Sequence, residues 1–132
     1  MSEELYWLTV TALMTAIFWV PYILNRFMEM GVIPALSNPN ADPSPDAPWA
    51  KRMMNAHMNA VENLVVFAPL AIAVHISGVG TALTASAAMV YFWARLAHFI
   101  VYTVGIPYLR TVTFFIGFVC QLTLGHAALG IM

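Results

Sequence analysis

Charge is the scarcest property of this sequence. Of 132 residues, 5 are Lys or Arg and 6 are Asp or Glu, so charged residues make up 8%. A soluble domain carries roughly 25% and needs that charge to keep its surface in water. Net charge is −1, and five cations cannot dominate a phosphate field, which excludes a nucleic-acid binder. There is one cysteine, Cys120, so no disulfide framework exists. No Gly-x-Gly-x-x-Gly run or phosphate loop occurs. No Ser-His-Asp arrangement is visible. His57 and His98 lack the Glu-x-x-His spacing of a helical metal site, so no metal is expected. What is abundant is apolar: 61% of the chain, with a mean hydropathy of +0.79. That excludes disorder. An integral membrane protein remains.

A hydrocarbon core of about 30 Å asks for about 20 mostly apolar residues per helix. Four stretches qualify, at about 5–30, 52–76, 80–104 and 109–131. The fold class expected is therefore all-α: an up-down bundle of four transmembrane helices, forming a single domain over 1–132. Pro21 is expected to kink the first span, which a membrane helix tolerates when neighbours re-satisfy the backbone. Glu3 and Glu4 lead that span and no small-residue cleavage site follows, so it does not read as a signal peptide. Between the first two spans, residues 31–51 hold five of the eight prolines, Pro34, Pro39, Pro43, Pro45 and Pro48. Asn38, Asn40, Asp42, Ser44 and Asp46 lie among them, and this composition reads as loop. Ser77 to Gly80 makes a tight hairpin, and Gly105-Ile106-Pro107 is the last break.

Lys and Arg collect on the cytoplasmic side of a membrane protein. Arg26, Lys51, Arg52 and Arg110 all sit at the side of the first and third loops. The opposite side, with both termini, has none. Both termini are thus expected to face away from the cytoplasm, in a multi-pass protein of a bacterial inner membrane.

A charge at the centre of a bilayer costs about 2.5–3.5 kcal/mol on the insertion scale, so polar residues within spans point to a site, a pairing or a packing role. Here they are ordered. At about 100° per residue, Arg52, Asn55, Asn59 and Glu62 share an arc of about 80°, while His57 faces elsewhere. Tyr91, Arg95, His98 and Tyr102 fall within about 60° on the third span. Arg110, Phe114, Gly117 and Gln121 do the same on the fourth. Three polar stripes most economically face one cavity. Its mixed set of guanidinium, carboxylate, amide, imidazole and phenol suits a zwitterionic ligand with carboxylates and an amine. Simpler roles stand beside this one. Glu62 and Arg95 can neutralise each other as a buried ion pair. Asn59 and Gln121 can be interhelical glue, and Gly117 a close-packing point. Cys120 reads as an apolar filler.

Arg52, Ala56, His57, Asn59, Glu62 and Asn63 reproduce a pattern R-x-x-x-A-H-x-N-x-x-E-N. Arg95, His98 and Tyr102 reproduce R-x-x-H-x-x-x-Y, and Gly105, Pro107 and Arg110 a following G-x-P-x-x-R turn. Together these motifs resemble the MAPEG family, the membrane-associated proteins in eicosanoid and glutathione metabolism, over essentially the whole chain. The resemblance implies a homotrimer that binds glutathione between subunits near the cytoplasmic face. It places glutathione contacts on Arg26, Arg52, Asn59, Glu62, Arg95, His98, Tyr102 and Arg110. It places Arg110 and Thr111 beside the sulfur as catalytic residues. The implied partners are lipophilic electrophiles or lipid hydroperoxides arriving from the bilayer. Three positions depart from the pattern. Asn55 and Met58 stand where eicosanoid-forming members carry arginines, and Phe114 stands where a tyrosine commonly follows the catalytic arginine. A non-catalytic member that binds a lipid or another small ligand in the inherited pocket is the alternative.

Overall fold

The computed structural model describes residues 1–37 and 45–131. The expected loop residues Asn38, Pro39, Asn40, Asp42, Pro43 and Ser44 lie outside the described residues. Six helices follow in order: α1 (Glu3–Ile17), α2 (Val20–Met30), α3 (Val32–Leu36), α4 (Pro48–Ser77), α5 (Ala82–Val104) and α6 (Pro107–Ala128). Four stretches are long and apolar enough to cross a membrane: Glu3–Met30, Pro48–Ser77, Ala82–Val104 and Pro107–Ala128. The chain is an integral, multi-pass membrane protein built as a four-helix bundle.

The first span is broken rather than merely kinked. Pro21 has no N–H, and its ring crowds the carbonyl four residues back, which is that of Ile17, where α1 ends. The Phe18 N–H turns back to the Thr15 carbonyl at 3.3 Å, and α2 restarts at Val20. The break is supported from α4 and α5. The Tyr22 hydroxyl meets His57 Nδ1 at 2.7 Å, and Phe18 stacks on Phe99 with centroids 3.7 Å apart. His57 thus turns away from the polar stripe of its own helix, as its angle implies.

The segment after α2 is not loop throughout. Gly31, at φ 83°, redirects the chain into α3. Helix α4 begins at Pro48, four residues earlier than the hydropathy suggests. A proline at the first helical position loses nothing, because its N–H would have no partner there. The loop re-enters the bundle through Glu29, whose carboxylate accepts the Asp46 and Ala47 N–H groups at 3.0–3.1 Å. Gly78 ends α4 in the left-handed region at φ 68°. Thr81 and Thr84 cap α5 reciprocally.

Helices α4 and α5 form the central pair, with α1 packed against both and α6 against both. Small residues let them approach: Ala50, Ala56, Ala60, Ala71, Ala87, Ala88 and Ala94 are buried, as expected where lipid gives helices no hydrophobic drive to associate. Two apolar cores result. One gathers Phe67, Ala71, Val74, Ala88, Tyr91, Cys120 and Leu124, with Phe67 stacked on Tyr91. The other gathers Met14, Phe18, Ala56, Ala60 and Phe99. Cys120 is a buried member of the first core, as its apolar setting suggested.

Candidate functional site

The polar stripes of α4, α5 and α6 meet near the end of the bundle that carries the α5–α6 turn. A pocket of about 310 Å³ opens there, lined by Asn59, His98, Tyr102, Arg110, Thr111 and Phe114. A smaller hollow of about 160 Å³ adjoins it, lined by Arg52, Tyr102, Gly105, Ile106, Pro107 and Arg110. Tyr102 and Arg110 belong to both. The Arg110 guanidinium carbon lies 4.7 Å from the Tyr102 ring centroid, a cation–π distance. This stacked pair is the wall between the two spaces.

The floor of the pocket is a hydrogen-bonded chain. Arg95, 2% exposed, donates from Nη2 to Asn59 Oδ1 at 2.6 Å. Asn63 donates to the same oxygen at 3.3 Å and to the Asn59 carbonyl at 3.0 Å. Gln121 donates to the Asn63 carbonyl at 3.3 Å. Both side-chain bonds of Asn59 fall on its oxygen, so its amide –NH2 is the group left for the pocket. Asn59 and Gln121 are thus interhelical links, and Asn59 also faces the cavity.

The ion pair that sequence spacing allowed between Glu62 and Arg95 does not form. Asn59 takes the guanidinium instead, and Glu62 is exposed. The helical angles explain this. Arg52 and Asn59 lie near the edge of the α4 stripe that turns toward α5. Glu62 and Asn55 lie about 60° further round and both face outward. Arg26 also lies outside both hollows. It pairs with Glu29 at 3.2 Å, one turn along α2. Among the expected site residues, then, Asn59, His98, Tyr102, Arg110 and Thr111 line one pocket and Arg52 its neighbour. Arg95 acts from beneath through Asn59. Glu62 and Arg26 are not brought in within one chain.

Two buried polar atoms near the pocket have no partner: Arg95 Nε and His98 Nδ1. His98 is 2% exposed, yet it lines the pocket. A buried polar atom without a hydrogen bond is rare and costly, and it marks a place for water or ligand. Phe114, read from sequence as a lost donor, makes the pocket's apolar wall, 6.2 Å from the His98 ring. Gly117 is less tight than a close-packing point. A Cβ there would meet Tyr91 and Arg95 at 3.6–3.7 Å, ordinary contact.

Helix order, four apolar spans and this cluster at the α4–α5–α6 end all agree with the motif resemblance. A profile of the MAPEG family matches residues 5–130. The chain belongs to the MAPEG family. Its members include glutathione transferases and peroxidases as well as non-catalytic proteins. No curated protein and no solved structure gives a significant match. As a MAPEG protein, this chain keeps its second-helix and third-helix signature residues at the pocket and in the bonds beneath it. The exceptions are His57, which braces the first span through Tyr22, and Glu62, which the bundle of one chain leaves outside.

Proposed function

We propose that this MAPEG protein is a glutathione-dependent transferase or peroxidase acting on lipophilic electrophiles or lipid hydroperoxides. The observation that carries the reading is Arg110 beside Thr111 in a pocket that His98 and Asn59 also line, with the Asn59 amide –NH2 unbonded and His98 Nδ1 buried without a partner. Glutathione has two carboxylates, an amine, two amides and a thiol. The pocket supplies a guanidinium, an imidazole, an amide –NH2, a phenol and a hydroxyl, which match that set.

Bound glutathione would supply a thiol for addition or reduction. Arg110 acts on its protonation. A free thiol has a pKa of about 8.5, and an adjacent cation lowers it, so more of the nucleophilic thiolate is present. The Thr111 hydroxyl, next in sequence, donates a hydrogen bond to the same sulfur. In conjugation, a carbon–sulfur bond forms, the leaving group departs with its electron pair, and the thiol proton passes to solvent. In peroxide reduction, two thiols become one disulfide while the hydroperoxide becomes an alcohol and water. Phe114 and the open side of the pocket favour an apolar second substrate from the bilayer.

The exposed Glu62 and Asn55 support assembly as a homotrimer. Glu62 sits in the middle turns of α4, where a lipid-facing charge is costly, and Asn55 lies two turns nearer its start on the same face. Contact with a second copy would cover them and bring Glu62, with Arg26, to a neighbour's pocket. The charge bias supports an orientation with the pocket end at the cytoplasmic face and both termini opposite, and our reading takes the membrane to be a bacterial inner membrane.

The test is turnover of a chlorodinitrobenzene-type electrophile and of a lipid hydroperoxide by the detergent-purified protein. Arg110→Ala is expected to cut the rate by about 10²-fold, the size of losing one positioned charge-stabilising donor. An undiminished rate in that variant would refute the assignment. A second reading is favoured by Phe114 lining the pocket in place of a donor: a non-catalytic protein that holds a lipid there. It predicts no turnover in either protein and a copurifying lipid displaced by Arg110→Ala.

A further inference from the structure

The smaller hollow has its own chemistry. Its two cations, Arg52 and Arg110, approach from different helices, α4 and α6, around the α5–α6 turn. Arg52 is fixed by one bond, from Nε to the Thr103 carbonyl at 2.8 Å. That bond uses the Nε edge of the guanidinium and leaves both terminal –NH2 groups without a partner among the described residues. Gly105 lets the backbone approach the same side chain: a Cβ there would sit 3.3 Å from Arg52 Nε. Arg110 is held by its stack on Tyr102, which uses the face of its guanidinium and leaves its edges open. No carboxylate lines the hollow. Two like charges thus share a space of about 160 Å³ with no counterion among the described residues that line it.

The level of the hollow matters as much. Arg52 lies in the second turn of α4, Gly105 caps α5, and Arg110 lies in the first turn of α6. All three are at one end of their membrane spans, at headgroup depth. Guanidinium is the side chain suited to phosphate, which it meets with paired N–H donors.

From this hollow we infer that the protein has an anion site beside the proposed glutathione pocket, sharing Arg110 with it, that holds one phosphate group between Arg110 and Arg52, the arginine that family resemblance gives to glutathione. The phosphate of an anionic phospholipid and free inorganic phosphate offer the same chemistry. The lipid is the occupant favoured by the headgroup depth. The Tyr102–Arg110 wall ties this site to the pocket, because one guanidinium serves both.

The experiment uses the full chain, delipidated in detergent, with native mass spectrometry for phospholipid and calorimetry for phosphate. The wild-type protein is expected to retain one phosphatidylglycerol per chain in preference to phosphatidylcholine. Arg52→Gln is expected to weaken that retention at least tenfold. Lys51→Gln, an exposed neighbour outside the hollow, removes the same charge and is expected to leave it unchanged. Should Arg52→Gln fail to fold, Arg52→Lys keeps the charge without the fork and is expected to fall between. Saturable binding of inorganic phosphate with the same Arg52 dependence, and no lipid retained, supports the site with free phosphate as occupant. Equal loss in the Lys51 and Arg52 variants, or no binding of either probe, overturns the proposal. Glutathione titration of wild type and Arg52→Gln reports on the other pocket, which Arg52 does not line: equal glutathione affinities are expected, and a matching loss of glutathione and anion binding in Arg52→Gln would make the hollow part of the glutathione site and overturn the proposal.

Discussion

The two ends of this bundle treat their polar groups in opposite ways. At the α4–α5 hairpin end, Glu4 is 4% exposed, and its carboxylate accepts a hydrogen bond from the Thr84 hydroxyl at 2.5 Å. Thr84 in turn caps α5 with Thr81, and Ser2 meets His75 Nδ1 at 2.9 Å. Here the polar side chains answer one another, and the result is a fastening. At the α5–α6 end, His98 Nδ1 and Arg95 Nε are buried without partners, and Arg110 faces open space. Leaving such groups unsatisfied costs free energy that burial of apolar surface elsewhere must offset. A fold keeps that arrangement where a ligand completes it. Polarity alone does not separate the two ends; satisfaction of hydrogen bonds does.

The comparison can be broken at either end. The largest effect belongs to Arg110→Ala, with turnover down about 10²-fold and thermal stability little changed. Next comes Thr84→Val at the other end. It strands the Glu4 carboxylate and should cost about 1–3 kcal/mol, read from the unfolding midpoint in denaturant, with glutathione affinity unaltered. His98→Phe is the reverse case. The ring is somewhat larger, but the adjoining pocket gives it room and no internal bond at Nδ1 is lost, so stability should hold. Glutathione affinity should fall about tenfold, the weight of one ligand hydrogen bond near 1.4 kcal/mol. If His98→Phe instead destabilised the protein and Thr84→Val weakened ligand binding, the contrast between the ends would be wrong. Smallest is Gly117→Ala. Its Cβ finds only ordinary contacts, and alanine is the better helix former by up to about 1 kcal/mol. Neutral or slightly raised stability is expected, and a marked loss would show that Gly117 is a tight packing point after all.

The sequence carried the fold well, because hydropathy and length are the two quantities a bilayer reads. Helix ends were less legible. Pro48 looked like part of a loop, yet a proline opens a helix as readily as it breaks one. Pro21 marked the flaw in the first span, but not that His57 and Phe99 would brace it, since those contacts join residues far apart in the chain. At the site, helical angles brought Arg52, Asn59, His98, Tyr102 and Arg110 to one end of the bundle. They did not resolve which edge of a stripe turns inward. Hence the stripes allow Glu62 to pair with Arg95, while a rotation of about 60° gives that bond to Asn59. Arg26 was placed with the ligand by family resemblance. Within one chain it sits with Glu29. The partition into two spaces by a single Arg110–Tyr102 stack has no signature in one-dimensional spacing.

The most direct measurement is calorimetric titration of glutathione into the detergent-solubilised protein, beside Arg110→Ala. The account predicts saturable binding in the wild-type protein that the variant weakens at least tenfold. No saturation up to about 10 mM, weaker than the roughly −4.1 kcal/mol of a 1 mM ligand, would contradict it and leave the pocket to a different ligand.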